Sequence, residues 1–218
     1  MENVIARNPV PRVRPSGSER RRQIVEAAYD LLAEDGLDGL TIRAVLTRTG
    51  LARRAFYESF GGKDDLVIAV FEETLKLAAD HYSGLSAGYD SPMERLRFIV
   101  TSIMLGQGYL GEQPDQPRDR RGAALSREHM RLAESHPAQL QAALRPLLAV
   151  LARNLADGME QGVMRRADPD RLAALVYNLV SSTAHTEFVA AEGGVLDPVR
   201  RKALAEDIWE FCRRAVIA

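Results

Sequence analysis

Between Thr41 and Lys63 the chain reads Thr-Ile-Arg-Ala-Val-Leu-Thr-Arg-Thr-Gly-Leu-Ala-Arg-Arg-Ala-Phe-Tyr-Glu-Ser-Phe-Gly-Gly-Lys, and its donors are spaced to meet a polyanion. On a helix over Ala52 to Phe60, Phe56 and Phe60 fall four apart and point one way. That leaves Arg53, Arg54, Tyr57 and Glu58 free to enter a major groove. Arginine suits bidentate donation to guanine O6 and N7, each good pair giving about 1–3 kcal/mol of discrimination. Tyr57 and the Thr41 hydroxyl suit phosphate oxygens. Arg43 and Arg48, on the preceding short helix, are divided between phosphate contact and plain solvation. Lys63 is awkward where it stands. A cation at a helix N-terminus opposes the helix dipole, whereas Asp64 and Asp65 satisfy it. A phosphate held by the amides and the lysine together resolves the conflict. The bland alternatives are a solvated face for Arg53 and Arg54 and a structural role for Tyr57.

The elements that must position these groups are helical. Ser16 or Ser18 is a plausible N-cap, with Glu19 three after Ser16 as in a capping box. Ile24, Ala28, Leu31 and Leu32 then share one helical face, and Asp35-Gly36 stops the helix. Thr41 caps a short helix carrying Ile42, Val45 and Leu46, and Thr49-Gly50 turns the chain into the helix of Arg53 and Arg54. Gly61-Gly62 breaks that helix, and Asp64-Asp65 opens a longer one through Leu66, Val70, Leu77 and Ala78. Two short helices joined at a tight glycine turn, behind a supporting helix, make a helix-turn-helix arrangement.

This stretch resembles the DNA-binding signature of the TetR family of bacterial transcriptional regulators, over roughly residues 19–67. The matching features are the capping Thr41, Gly50, the apolar Leu51, Phe56-Tyr57, Phe60 and Lys63. Leu46 and Thr49 stand where the family often has alanine. Ala52 and Ala55 stand where hydroxyl residues are common, which removes a recognition-helix N-cap worth about 1 kcal/mol. The resemblance implies a homodimer that reads a palindromic double-stranded DNA operator, with a C-terminal region for a small-molecule effector. A repressor released by its ligand is the expected function, with DNA-binding residues Thr41, Arg43, Arg53, Arg54, Tyr57 and Lys63. A ligand-independent helix-turn-helix factor or activator is the alternative, and an enzyme with an incidental helix-turn-helix is a third.

Beyond His81 the pattern stays helical, with a loop expected over Ser83 to Ser91. Helices follow from Pro92, at 123–134, at 138–162 with a bend at Pro146, at 169–191 and at 198–216, and a polar loop spans Glu112 to Gly122. The fold class read from this is all-α, about nine helices: an arm over 1–17, a helix-turn-helix unit over 18–63 and a ligand-binding and dimerisation unit over 64–218. Leu172, Val176, Leu179 and Thr183, with Leu204, Ile208, Phe211 and Ala215, make stripes suited to a four-helix dimer interface. Helix-turn-helix dimers place their recognition helices about 34–36 Å apart. If the family pattern holds, the pocket is lined by Phe98, Met104, Tyr109, His129, Met130, Tyr177, Asn178 and His185. That mix of Met and aromatic residues suits a largely apolar ligand with few polar anchors. His129 and His136 lie seven apart with no third ligand evident, so neither a metal nor a cofactor is expected.

Composition narrows the remaining classes. The 218 residues are 46% hydrophobic and 27% charged, near the soluble globular average, which excludes collagenous, disordered and disulfide-rich proteins. A lone cysteine, Cys212, cannot bridge within the chain. No uncharged apolar run is long enough to span a bilayer, and Met1 to Ser16 has no apolar core like that of a signal peptide, so the expected setting is cytoplasmic. There is no Gly-rich phosphate loop, nucleophile elbow or cluster of His and carboxylates, which weighs against an enzyme.

The net charge of −1 hides a split. Positions 1–22 carry six arginines, among them Arg7, Arg12 and Arg14, against Glu2 and Glu19. Positions 41–63 carry Arg43, Arg48, Arg53, Arg54 and Lys63 against Glu58. Between them lie Glu26, Asp30, Glu34, Asp35 and Asp38. Two basic blocks around an acidic one describe a polarised surface. The arm arginines suit minor-groove insertion or an incidental tail equally.

Overall fold

A computed structural model of the chain describes residues 16–86, 88–105, 120–191 and 198–218. Among them the chain is all-α, with nine helical elements: α1 (Gly17–Gly39), α2 (Ile42–Thr49), α3 (Arg53–Tyr57), α4 (Lys63–Ser86), α5 (Pro92–Leu105), α6 (Arg120–Ser135), α7 (Pro137–Glu160), α8 (Pro169–Ala191) and α9 (Pro198–Val216).

Local chemistry sets the ends of the N-terminal helices. Ser16 caps α1, its hydroxyl accepting from the Glu19 N–H at 3.1 Å. Gly36, at φ 69° and ψ −160°, interrupts α1 where Asp35-Gly36 predicts a stop. Thr41 caps α2, accepting from the Ala44 N–H at 3.0 Å. Gly50 closes α2 at φ 66°, a left-handed turn that a residue with a Cβ adopts only under strain.

Two hydrophobic cores meet along α4. The first gathers Ile24, Ala28, Leu31 and Leu32 of α1, Leu40, Val45 of α2, Phe56, Phe60, and Leu66, Val67, Ala69 and Val70 from the opening turns of α4. The second begins at Phe71 of the same helix and continues through Leu75, Ala78 and Tyr82 into α5 to α9. Helix α7 packs against α4, α5, α6 and α8, α9 lies along α5, and α6 lies against α1. Leu125 of α6 packs against both cores. The single cysteine, Cys212, is buried in the second core, where burial pushes its thiol up to about 11 and keeps it unreactive at neutral pH.

Four expectations change. Helix α4 runs to Ser86, so the loop predicted over 83–91 is shorter; the fully buried Tyr82 extends the apolar face by another turn. Helix α3 ends at Tyr57, because the Ser59 and Phe60 N–H groups both return to the Phe56 carbonyl and tighten the chain into a turn. On α8, Leu172 and Val176 are buried inside the subunit's own core, while Leu175 is 59% exposed; α9 presents Phe211, 63% exposed. The outward apolar surface of α8 is therefore offset from the predicted stripe, whereas on α9 the predicted Phe211 does face outward. Of the polar loop predicted over 112–122, residues 120–122 instead open α6, and the rest lies outside the described residues, as do Tyr109 and the arm arginines Arg7, Arg12 and Arg14.

Candidate nucleic-acid interface

Helix α3 is only five residues long, has no side-chain cap at Ala52, and owes its place to its aromatic neighbours. Phe56 is fully buried under α1, and its ring lies 5.5 Å from that of Phe60 and 5.3 Å, edge-on, from that of Tyr57. Burying Phe56 leaves Arg53, Arg54 and Tyr57 on the opposite, exposed side. Arg53 donates to the Tyr57 hydroxyl at 3.3 Å, with its guanidinium 5.6 Å from the centre of that ring. Arg54 reaches into solvent, its side chain 90% exposed. The surface between Arg53 and α2 is a groove lined by Ile42, Arg43, Leu46 and Thr47.

Not every sequence candidate stands free. Lys63, the first residue of α4, donates to the Leu37 carbonyl at 3.2 Å and so ties the end of α1 to the start of α4. Its exposed ammonium has further donors to give a phosphate. Asp65 caps the preceding turn, accepting from the Gly61 N–H at 2.8 Å. Arg48 forks onto Glu34 of α1, Nη1 to Oε1 at 2.7 Å and Nη2 to Oε2 at 2.5 Å, which accounts for it as a brace between α1 and α2.

Two arginines that composition assigned to a basic N-terminal block turn out to lie on α1 beside α3. Arg21 donates to the Ser59 carbonyl at 3.3 Å and stacks 4.6 Å over the Phe60 ring. Arg20 meets the Glu58 carboxylate at 3.3 Å. Their place was hidden because the contacts span 38 residues, and an i+4 pattern carries no sign of them.

In the helical body the proposed liners separate. His129 on α6 faces α8, its Nδ1 3.5 Å from the Tyr177 hydroxyl and its ring 6.1 Å from that of Phe71. One turn earlier on α6, Ser126 Oγ lies 2.9 Å from His185 Nδ1. Burial first, and the charge of His185 second, lower the His129 pKa below the ordinary imidazole value, so the neutral ring is favoured. Met104 is buried and Phe98 half-buried, 6.2 Å from the Tyr82 ring. Met130 and Asn178 stand on the surface instead, and Tyr109 lies outside the described residues. His136 stands just before α7 and bonds to its neighbour Ser135, apart from this seam. Next to the seam, Arg131 of α6 joins Glu128 at 2.8 Å and Asp64, in the first turn of α4, at 3.2 Å. Among the described residues no helix is long and apolar enough to cross a membrane.

Comparison with known proteins agrees with this geometry. A family model described as "Bacterial regulatory proteins, tetR family" matches residues 24–70. A curated relative, HTH-type transcriptional regulator BetI 1 of Chromohalobacter salexigens, is 32% identical over 82 residues, which cover 37% of this chain and 41% of that protein. The alignment thus spans less than half of that relative. A crystal structure of a TetR-family transcriptional regulator from Pectobacterium atrosepticum superposes with a TM-score of 0.72 at 21% identity, over 95% of this chain and 98% of that one. The crystal structure of RolR in complex with resorcinol superposes with a TM-score of 0.69 at 17% identity, over 92% of this chain and 88% of that one. At these identities the likeness to both structures is one of fold.

Proposed function

From a chain whose residues 24–70 match a model of the tetR family of bacterial regulatory proteins, we propose a TetR-like one-component regulator of transcription rather than an enzyme. It acts in the cytoplasm as a homodimer on a palindromic operator and represses until a small molecule releases it. The observation that carries the reading is the exposed face of α3. Arg53, Arg54 and Tyr57 project from a helix pinned from behind by the fully buried Phe56. Arg53 and Arg54 read base edges; Tyr57, Thr41, Arg43 and Lys63 take phosphates. The units are an arm over 1–17, a reader over 18–63 and a body over 64–218, with the opening turns of α4 completing the reader's core.

The ligand is a small, largely apolar molecule, bound in the body near His129, Tyr177 and His185, with Phe98 and Met104 contributing apolar wall. Polar anchors few in number, set among apolar helices, support this. So does a fold neighbour that holds resorcinol. The exposed Leu175 and Phe211 on α8 and α9 support a partner subunit packed there. Release follows only if the ligand prefers one spacing of the two readers over the other.

The test is selection of duplexes from a randomised pool, followed by titration of the enriched duplex. An enriched palindrome is expected, with binding that weakens steeply as salt rises, because phosphate neutralisation releases counterions. Arg54→Ala is expected to weaken that binding about tenfold or more. No enriched palindrome, together with an Arg54→Ala protein that binds as before, overturns the reading.

A further inference from the structure

The one carboxylate in the basic block over 41–63, Glu58, stands among the arginines of the proposed DNA-facing surface. Its two oxygens are divided between two helices: Oε1 accepts from Arg54 Nε at 3.0 Å, and Oε2 accepts from Arg20 Nη2 of α1 at 3.3 Å. The three side chains grade outward, Arg20 27% exposed, Glu58 44% and Arg54 90%.

Ion pairs this exposed add little to stability, so the fold does not account for a carboxylate here. On a surface that approaches phosphates, a negative charge also works against affinity. Its use lies in geometry. A guanidinium carries five N–H donors in a rigid fork, and Glu58 engages the Nε side, leaving the two terminal nitrogens to point outward as a pair. An arginine on a free stem swings to whichever phosphate is nearest, whereas a tethered one keeps its forked edge aimed where guanine O6 and N7 would lie. Arg20, fixed on the longer α1, holds the carboxylate in turn, so the tether is not itself a free rotor. Arg53 is held differently, by the phenol of Tyr57 and without a countercharge.

We infer that Glu58 is a positioning residue for specificity: anchored by Arg20, it aims Arg54 at a base edge and opposes the use of Arg54 as a general phosphate contact. The inference rests on the DNA-binding reading above, and the experiment separates the two. The probes are the duplex that the wild-type protein enriches from a randomised pool and a scrambled duplex of the same composition. The quantity read is the ratio of their dissociation constants.

Glu58→Gln is expected to lower that ratio about tenfold, through weaker binding of the enriched duplex and equal or tighter binding of the scrambled one. Arg20→Ala is expected to lower it less, in the same direction. Added to Arg54→Ala, Glu58→Gln is expected to lower it no further, since the carboxylate acts through that arginine. An unchanged ratio in Glu58→Gln overturns the inference while the DNA-binding reading stands. A full loss from Glu58→Gln in the Arg54→Ala background overturns it as well, because Glu58 would then read a base itself, as carboxylates do with the cytosine amine. A wild-type protein that enriches no duplex overturns the reading and the inference together. Far-UV circular dichroism of each variant is expected to match wild type, because Glu58 and Arg54 both lie on the surface.

Discussion

The two cores that meet along α4 carry their polar chemistry in opposite places. Around the first core, arginines from α1, α2 and α3 stand outside, each against a carboxylate, a carbonyl or an aromatic face: Arg48 on Glu34, Arg21 on Ser59 and Phe60, Arg54 on Glu58. Around the second, His129, Tyr177, Ser126 and His185 turn toward one another between α6 and α8. A surface of charged forks suits a large polyanion that arrives from solvent. A partly buried seam of hydroxyls and imidazoles suits a small guest that has given up its water. The comparison also shows where each kind of site is written. The exposed donors of the outer one, Arg53, Arg54 and Tyr57, are neighbours in sequence, and the inner one joins residues 48 and 59 apart.

Three measurements can break or sharpen this contrast. The largest effect is expected from Phe56→Ala. It empties the centre of the first core and is expected to cost about 3–5 kcal/mol in chemical denaturation, with DNA binding lost. A variant that binds DNA as before would mean that Phe56 does not hold the arginine face in place.

The second tests the seam. His129 has a lowered pKa in the folded chain, from burial first and His185 second, with Tyr177 and Phe71 as its other ring neighbours. The unfolded chain therefore takes up a proton that the folded chain resists. The stability contribution is full above the ordinary value of 6.5 and is lost as pH falls through that value toward the folded one. Thermal midpoints of the wild type are expected to fall over that interval. His129→Gln, which has no proton to gain, is expected to flatten this part of the curve. Equal slopes in both proteins would place the seam's titration elsewhere.

The smallest effect concerns the N-terminus of α3, which has no side-chain cap hydrogen bond. Ala52→Ser supplies a hydroxyl where α3 begins and is expected to raise stability by about 0.5–1 kcal/mol, read as a shift in denaturation midpoint. No gain would mean that the aromatic packing behind α3 already fixes its first turn.

What was legible in the chain follows the same division. Caps and breaks are local: Ser16 with Glu19, the stop at Gly36, Thr41 before α2 and the left-handed Gly50 all stand where residue chemistry puts them. The alignment of Phe56 and Phe60 is likewise an i+4 fact that needs no tertiary partner. Long-range pairings were not legible. Charge arithmetic counted Arg20 and Arg21 in one basic block over 1–22, and only the docking of α1 on the end of α3 sets them beside Glu58 and Ser59. That Lys63 also donates to the Leu37 carbonyl was hidden in the same way, since the two lie 26 residues apart. Leu172 and Val176 share a periodic stripe with their neighbours, and periodicity does not say which flank of a stripe faces the chain's own core.

Helix α4 carries one more consequence, for anyone who would exchange parts among such proteins. Its residues Leu66, Val67, Ala69 and Val70 close the first core and Phe71 opens the second, so the seam between transplantable halves falls inside an unbroken helix. A graft joined at Gly61-Gly62, where the chain visibly turns, would strip the donor half of its floor. A graft joined between Val70 and Phe71 keeps each core whole and splices helix to helix. There the junction has to preserve helical phase: one inserted residue would rotate everything beyond it by about 100°.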